Sequence, residues 1–187
     1  MRSGRLIVHT GTMFGGKSKA LVAIVRNQRI KTQQFIPQQD TRDRRHAIVT
    51  HDGEAFDALR ILRSEEIFTN LEEDTEVVVV DEIHMLDAGT PAALRQLVDR
   101  YGVDVYAAGL ATDFLGKPFK IMMRTMAYAN EVHFHASYCR KCGAEAVYNQ
   151  RIVDDPRRIV PGGDGVYEPR CRICFELGGR DSERTDT

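Results

Sequence analysis

Gly11-Thr12-Met13-Phe14-Gly15-Gly16-Lys17-Ser18 matches G-x-x-x-x-G-K-[ST] at every fixed position. Apolar Leu6-Ile7-Val8 precede it, and Leu21, Ile24 and Val25 follow at helical spacing. A strand entering such a turn and a helix leaving it is the context in which a phosphate cradle forms. Glycines let backbone N–H groups turn inward around phosphate oxygens, and the helix N-terminus behind them favours negative charge. All eight residues, Gly11, Thr12, Met13, Phe14, Gly15, Gly16, Lys17 and Ser18, are therefore candidates for phosphate binding. Lys17 suits the β- and γ-phosphates, and the Ser18 hydroxyl suits a Mg²⁺ ion.

Downstream, Val77 to Val80 is a β-branched run that reads as a strand buried on both faces. Asp81 and Glu82 follow directly. Ligands gather at the carboxyl ends of parallel strands, which points both carboxylates toward the cradle. Asp81 suits Mg²⁺, and Glu82 suits acceptance of a proton from an attacking hydroxyl. His84, two residues on, reads as a spacer or hydrogen-bonding group. By spacing, His9, His46, His51, His133 and His135 form no metal-like set, and His133 and His135 alternate as in a half-exposed strand.

Thr90-Pro91 predicts a helix start with Thr90 as cap, Leu94, Leu97, Val98 and Tyr101 its buried face, and Gly102 its stop. Val103 to Ala108 reads as the next strand. Strand-helix-strand order implies right-handed crossovers, hence an α/β fold. The expected architecture is a P-loop (RecA-like), mainly parallel sheet with helices on both faces. Gln33 to Arg45 is polar and predicts a loop or mobile segment, and the chain from Gly178 predicts a frayed tail.

Cys139-Arg140-Lys141-Cys142 and Cys171-Arg172-Ile173-Cys174 are two C-x-x-C pairs that use all four cysteines. Together they supply four thiolates for a tetrahedral, structural Zn²⁺. The 28 residues between the pairs would be closed by the metal into a long loop. Within it, Pro161-Gly162-Gly163-Asp164-Gly165-Val166-Tyr167 has the composition of a lid over a small molecule. The expected division is residues 1–136 as an ATP-binding body, 137–176 as a small zinc-binding domain, and 177–187 as a tail.

The chain of 187 residues carries a formal charge of −1, which gives no long-range pull toward nucleic acid or anionic membrane. Its apolar runs fall short of the roughly 20 residues a bilayer span needs. No signal-peptide pattern follows Met1, and thiols used for metal fit a reducing compartment, so a cytoplasmic setting is expected.

Taken in order, the motifs from Leu6 to Phe175 resemble the type II thymidine kinases. The resemblance rests on Gly11–Ser18, Asp40-Thr41-Arg42, Thr50-His51-Asp52 and Asp81-Glu82. It extends through Asp113-Phe114-x-Gly-Lys-Pro-Phe119, both cysteine pairs and Tyr167-Glu168-Pro169-Arg170-Cys171. It implies transfer of the ATP γ-phosphoryl group to the 5′-hydroxyl of thymidine in nucleotide salvage, with Glu82 as general base and Arg42 near the phosphates. It also implies a base held under a zinc-anchored lasso. Met13, Asp40, Leu110, Phe114, Phe119, Asn149, Val160, Gly162 and Tyr167 are the implied nucleoside-binding residues. Members are commonly homotetramers inhibited by the thymidine triphosphate end product.

Three positions depart from the family pattern. Ile83-His84-Met85 stand where a small residue, Gln and an aromatic are usual. Phe35-Ile36-Pro37 lacks the usual lysine, and Asn149 stands where Thr is common. The expectation is that deoxyuridine is accepted beside thymidine. Two other readings remain at this point: a nucleic-acid-dependent P-loop ATPase that grips its polymer with Arg140, Lys141, Arg170 and Arg172, and a non-catalytic nucleotide sensor.

Overall fold

The computed structural model describes residues 3–27, 30–40, 47–49, 54–157, 160 and 162–177. In chain order the elements are β1 (Leu6–Gly11), α1 (Lys17–Asn27), β2 (Thr32–Pro37), β3 (Ala47–Val49), β4 (Ala55–Asp57) and β5 (Leu59–Ile61). There follow α2 (Glu66–Asn70), β6 (Val77–Val80), a 3₁₀ turn (Ile83–Met85), α3 (Thr90–Tyr101), β7 (Asp104–Ala108) and α4 (Lys120–Tyr128). β8 (Glu131–His135), β9 (Tyr148–Arg151) and β10 (Tyr167–Arg170) complete the set.

Six strands form one sheet in the order β5-β2-β6-β7-β1-β8, and every neighbouring pair is parallel. Parallel neighbours need crossovers, and the crossovers leave apolar layers on both faces. Val78 and Val80 of β6 pack with Leu94 and Leu97 of α3 and Met122 of α4 on one side. Val77 and Val79 pack with Leu21 and Val22 of α1 and Ile48 of β3 on the other. The β-branched run is thus fully buried because both of its faces are covered. The fold is α/β, as expected.

Helix α3 begins at Thr90 itself, with Gly89 preceding it. Thr90 is therefore not the cap: its hydroxyl donates to the Asp87 carbonyl at 2.7 Å. The stop stands as read. Gly102 has φ 67°, and Val103 N–H returns to the Leu97 carbonyl at 3.2 Å, closing the last turn.

The expected loop from Gln33 is a correction. Residues 32–37 are β2, an interior strand between β5 and β6. Its polar side chains are accommodated by partners: Gln33 Oε1 accepts from Glu72 N–H at 2.9 Å and from the Thr75 hydroxyl at 2.6 Å. Gln33 Nε2 donates to the Asn70 carbonyl at 2.9 Å. A satisfied amide can lie in a buried strand. Residues 41–45 of that stretch lie outside the described residues, as do 178–187.

β9 and β10 form a separate antiparallel pair, with Asn149 opposite Pro169 and Arg151 opposite Tyr167. Among the described residues, no helix is long and apolar enough to cross a membrane.

Candidate functional site

The turn from β1 into α1 lies against β8. A Cβ on Gly11 or Gly15 would stand 2.1 or 2.3 Å from the His135 carbonyl oxygen, so only glycine fits at either position. Thr12 N–H donates to that same carbonyl at 3.1 Å. Lys17 is buried, and its Nζ donates to the Thr12 carbonyl at 2.6 Å, which holds the ammonium over the loop. Ser18 Oγ donates to Asp81 Oδ2 at 2.7 Å, so the two candidate Mg²⁺ ligands from β6 and α1 meet. Hard oxygens paired beside a phosphate-binding lysine suit Mg²⁺, which takes one or two protein oxygens and completes its shell with phosphate and water.

Glu82 is buried and left-handed, at φ 51° and ψ 37°. This conformation is uncommon outside glycine and recurs at functional sites. Its Oε2 lies 3.3 Å from His84 Nδ1, the ring nitrogen that accepts from Leu110 N–H at 3.2 Å. His84 packs against Phe119 at 4.7 Å between ring centroids. The histidine therefore stands between the carboxylate and the wall that carries Leu110, an arrangement that sequence spacing does not reveal.

One cavity of about 680 Å³ joins these groups to an aromatic chamber. On its phosphate side lie Met13, Phe14, Gly16, Lys17, Ser18, Asp81 and Glu82. Gly11, Thr12 and Gly15 support the loop without lining the cavity. Asp40, Leu110, Phe114, Phe119, Asn149, Val160, Gly162 and Tyr167 line it as well, so the residues expected at the nucleoside converge on one space. Met85 also reaches it. Arg42, and the Thr41 and Thr50-His51-Asp52 parts of the motifs, lie outside the described residues.

The aromatic wall has a local cause. Asp113 Oδ1 accepts from Leu115 N–H at 3.0 Å and Lys117 N–H at 2.9 Å, forming a tight turn that projects Phe114. Arg151 was not anticipated. Its guanidinium lies 3.6 Å above the Phe114 ring and donates to the Asp155 and Arg157 carbonyls, both at 2.6 Å. It also donates to the Tyr167 hydroxyl at 3.2 Å, which in turn donates to the Val160 carbonyl at 3.1 Å. One arginine thus holds both ends of the loop over the chamber. Its partners lie in three separate stretches of chain, which local pattern does not connect.

Two further polar residues line the cavity. Asn149 Oδ1 accepts from Met13 N–H at 2.8 Å. Asn149 Nδ2 is buried with no partner among the described residues, as is Thr112 Oγ1, and both residues line the cavity.

The four cysteine sulfurs, from residues 139, 142, 171 and 174, lie within 4.8 Å of one another. Cys142 and Cys171 are 3.6 Å apart, close to the edge of about 3.8 Å that four sulfurs at zinc-bonding distance would span. Burial opposes ionisation of Cys139, but backbone N–H groups of Cys171, Cys142 and Lys141 bring its thiol down to about 6. Backbone amides stabilise the thiolates of Cys139 and Cys171, and four converging sulfurs suit a closed, structural Zn²⁺ site. The adjoining basic residues are engaged within the chain: Arg140 with Asp164, Lys141 with Glu176, Arg170 with Glu168, and Arg172 with the Tyr148 hydroxyl. Those pairings weaken the polymer-gripping reading.

His9, His133 and His135 come together although far apart in the chain. His9 stacks on His133 with centroids 5.1 Å apart, and its Nδ1 lies 2.9 Å from His135 Nε2. Among the described residues only the cysteines form a metal-type group.

Comparison with known proteins supports the same chemistry. The thymidine kinase family profile matches residues 4–175. Thymidine kinase from Roseiflexus sp. (strain RS-1) is 40% identical over 185 residues, covering 92% of this chain and 95% of the relative. The thymidine kinase of Roseiflexus castenholzii is 38% identical with the same coverage. That of Chloroflexus aurantiacus (strain J-10-fl) is 35% identical over 184 residues, again 92% and 95%.

Proposed function

The chain belongs to the thymidine kinase family and phosphorylates thymidine, and we propose that Glu82 is the base that accepts the 5′-hydroxyl proton as ATP gives up its γ-phosphoryl group. The observation that carries this reading is the single cavity in which Lys17, the Ser18–Asp81 pair and Glu82 stand between the P-loop and the aromatic chamber.

The chemistry follows from positioning. Backbone N–H groups of residues 12 to 18 and the Lys17 ammonium offset charge on the β- and γ-phosphates. Ser18 and Asp81 would hold Mg²⁺, which supplies charge neutralisation on the phosphate oxygens when bound. The 5′-oxygen forms a bond to the γ-phosphorus, the bridging bond to ADP breaks, and the hydroxyl proton passes to Glu82. Phe114, Phe119 and Tyr167 exclude water from the base, with Met13, Asp40, Leu110, Asn149, Val160 and Gly162 completing the nucleoside wall. Arg42 stands in this reading as additional charge near the phosphates.

The four cysteines would hold Zn²⁺ as a structural clamp, separating a lasso domain (137–176) from the ATP-binding body (1–136). Four free thiols favour a reducing, cytoplasmic setting. Deoxyuridine fits the same chamber, because Met85 in place of a ring leaves the wall less selective for a methyl group. Thymidine triphosphate carries both the base and the phosphates that this cavity accommodates, which supports end-product inhibition. Exposed Val132 and Phe134 on the edge strand β8 support assembly, in our reading to a homotetramer.

The test is phosphorylation of labelled thymidine and deoxyuridine with Mg-ATP by wild type, Lys17→Ala and Glu82→Gln. Wild type should turn over both nucleosides with comparable kcat/KM. Glu82→Gln should lower kcat by about 10² or more with ATP affinity retained. Near-normal turnover in Glu82→Gln would remove the base assignment.

A further inference from the structure

We propose that the Asn149 side-chain amide donates a hydrogen bond to the O4 carbonyl of the bound pyrimidine, and so restricts the site to 4-oxo pyrimidine nucleosides. This inference rests on the nucleoside-phosphorylating reading of the cavity.

Asn149 is 2% exposed on β9. The Met13 backbone can only donate, so the amide atom facing it at 2.8 Å is the oxygen. That bond fixes the amide in one orientation, and Nδ2 is turned to where no described residue accepts from it. A buried amide N–H₂ without an acceptor is unfavourable, and native proteins keep such groups where a ligand completes them. Asn149 lines the cavity, so its missing acceptor is assigned to the occupant.

Which acceptor follows from the chemistry of the substrates. Thymidine, deoxyuridine and deoxycytidine share their sugar, their 5′-hydroxyl and their O2 carbonyl. They differ at N3, C4 and C5. The thymine methyl accepts nothing, and the 4-amino group of cytosine donates and would meet Nδ2 donor to donor. On the base of thymidine and deoxyuridine N3 is protonated and O2 is shared with deoxycytidine, so O4 is their one acceptor that both satisfies Asn149 and distinguishes them from deoxycytidine. Leu110, Phe114 and Phe119, which share this wall, offer no side-chain hydrogen bond to the base. Thr112 Oγ1, also buried and unpartnered among the described residues, can donate or accept and adds no comparable selection.

Asn149→Asp tests this cleanly. It keeps an oxygen for Met13 N–H and replaces the donor with an acceptor. kcat/KM for thymidine and deoxyuridine should fall at least about tenfold, mainly through KM. The preference over deoxycytidine should narrow by a similar factor, with KM for ATP unchanged. Unaltered thymidine kcat/KM, or an unaltered preference, would overturn the assignment and leave Asn149 as a tie to the P-loop. If the variant does not fold, wild type is assayed with 4-thiothymidine and 2-thiothymidine, since sulfur is the weaker acceptor. A larger rise in KM for the 4-thio compound is expected, and equal handling of the two refutes the proposal. Glu82→Gln in the same assay separates failure of the base assignment from failure of this one, because the nucleoside preference is read as a ratio.

Discussion

His9 sits on β1 directly before the phosphate loop, 7% exposed, with one face on His133 and its Nδ1 against His135. Burial, and then the charges of His135 and His133, bring it down from the usual imidazole range to about 4. Burial and the nearby Lys17 ammonium lower His135 as well. In the unfolded chain His9 binds its proton near pH 6.5, while in the fold it stays neutral to about 4. Between those values the unfolded state holds more protons, so stability rises with pH. The contribution is complete above about pH 6.5 and is lost as pH falls toward 4. With partial solvation of His133 and His135, we expect roughly 1–3 kcal/mol over that window. Urea unfolding of wild type and His9→Leu at pH 7, 6, 5 and 4.5 measures it. The variant should show a shallower loss toward acid, and parallel curves would dismiss the histidine as its source.

Strand β2 shows how a polar segment becomes an interior element. Phe35 and Ile36 bury to opposite faces of the sheet, each joining a different apolar cluster. Gln33 is tied to the turn after α2 through Asn70, Glu72 and Thr75, so it fixes the end of the strand instead of exposing it. Gln33→Leu keeps the volume but strips Glu72 N–H and the Thr75 hydroxyl of their acceptor. It should lower unfolding free energy by about 2–4 kcal/mol. The β2–β5 edge should become more accessible to amide exchange. Unchanged stability would mean that water replaces the glutamine without loss.

Across the molecule, the cysteine cluster, the β9–β10 pair and the phosphate loop form a connected series. Arg140 N–H donates to the Pro169 carbonyl, and Val147 N–H to that of Arg170, both at 3.0 Å. Thr12 and Ser137 hydroxyls lie 3.0 Å apart, and Asn149 holds Met13. A clamp on the cysteines therefore bears on the nucleoside chamber while leaving the parallel sheet to its own apolar layers. Zinc removal with a chelator should raise KM for thymidine by about tenfold or more. ATP binding and most far-ultraviolet dichroism should persist. Full loss of zinc with an unaltered thymidine KM would show the cluster to be uncoupled from the chamber.

The chemistry legible in the residues alone was that carried by neighbours in the chain. The phosphate loop, the Asp81-Glu82 pair, the buried valine run and the paired cysteines each depend on spacings of a few residues, which covalent geometry translates directly into shape. Their order along the chain was sufficient for the α/β fold and for the family resemblance. Gln33, Arg151, Thr112 and the three histidines were a different matter. Gln33 reads as loop until Glu72 and Thr75 satisfy it. Arg151 carries no local signal, and its role appears only when Phe114 lies beneath it. His9 joins no set by spacing, and it meets His133 and His135 only when β8 closes against β1. The state of such groups depends on who buries and bonds them, and those partners arrive only when distant segments pack. Tertiary structure alone decided which polar groups are satisfied within the chain: it gave Asn149 Oδ1 the Met13 N–H and left Nδ2 without an acceptor among the described residues.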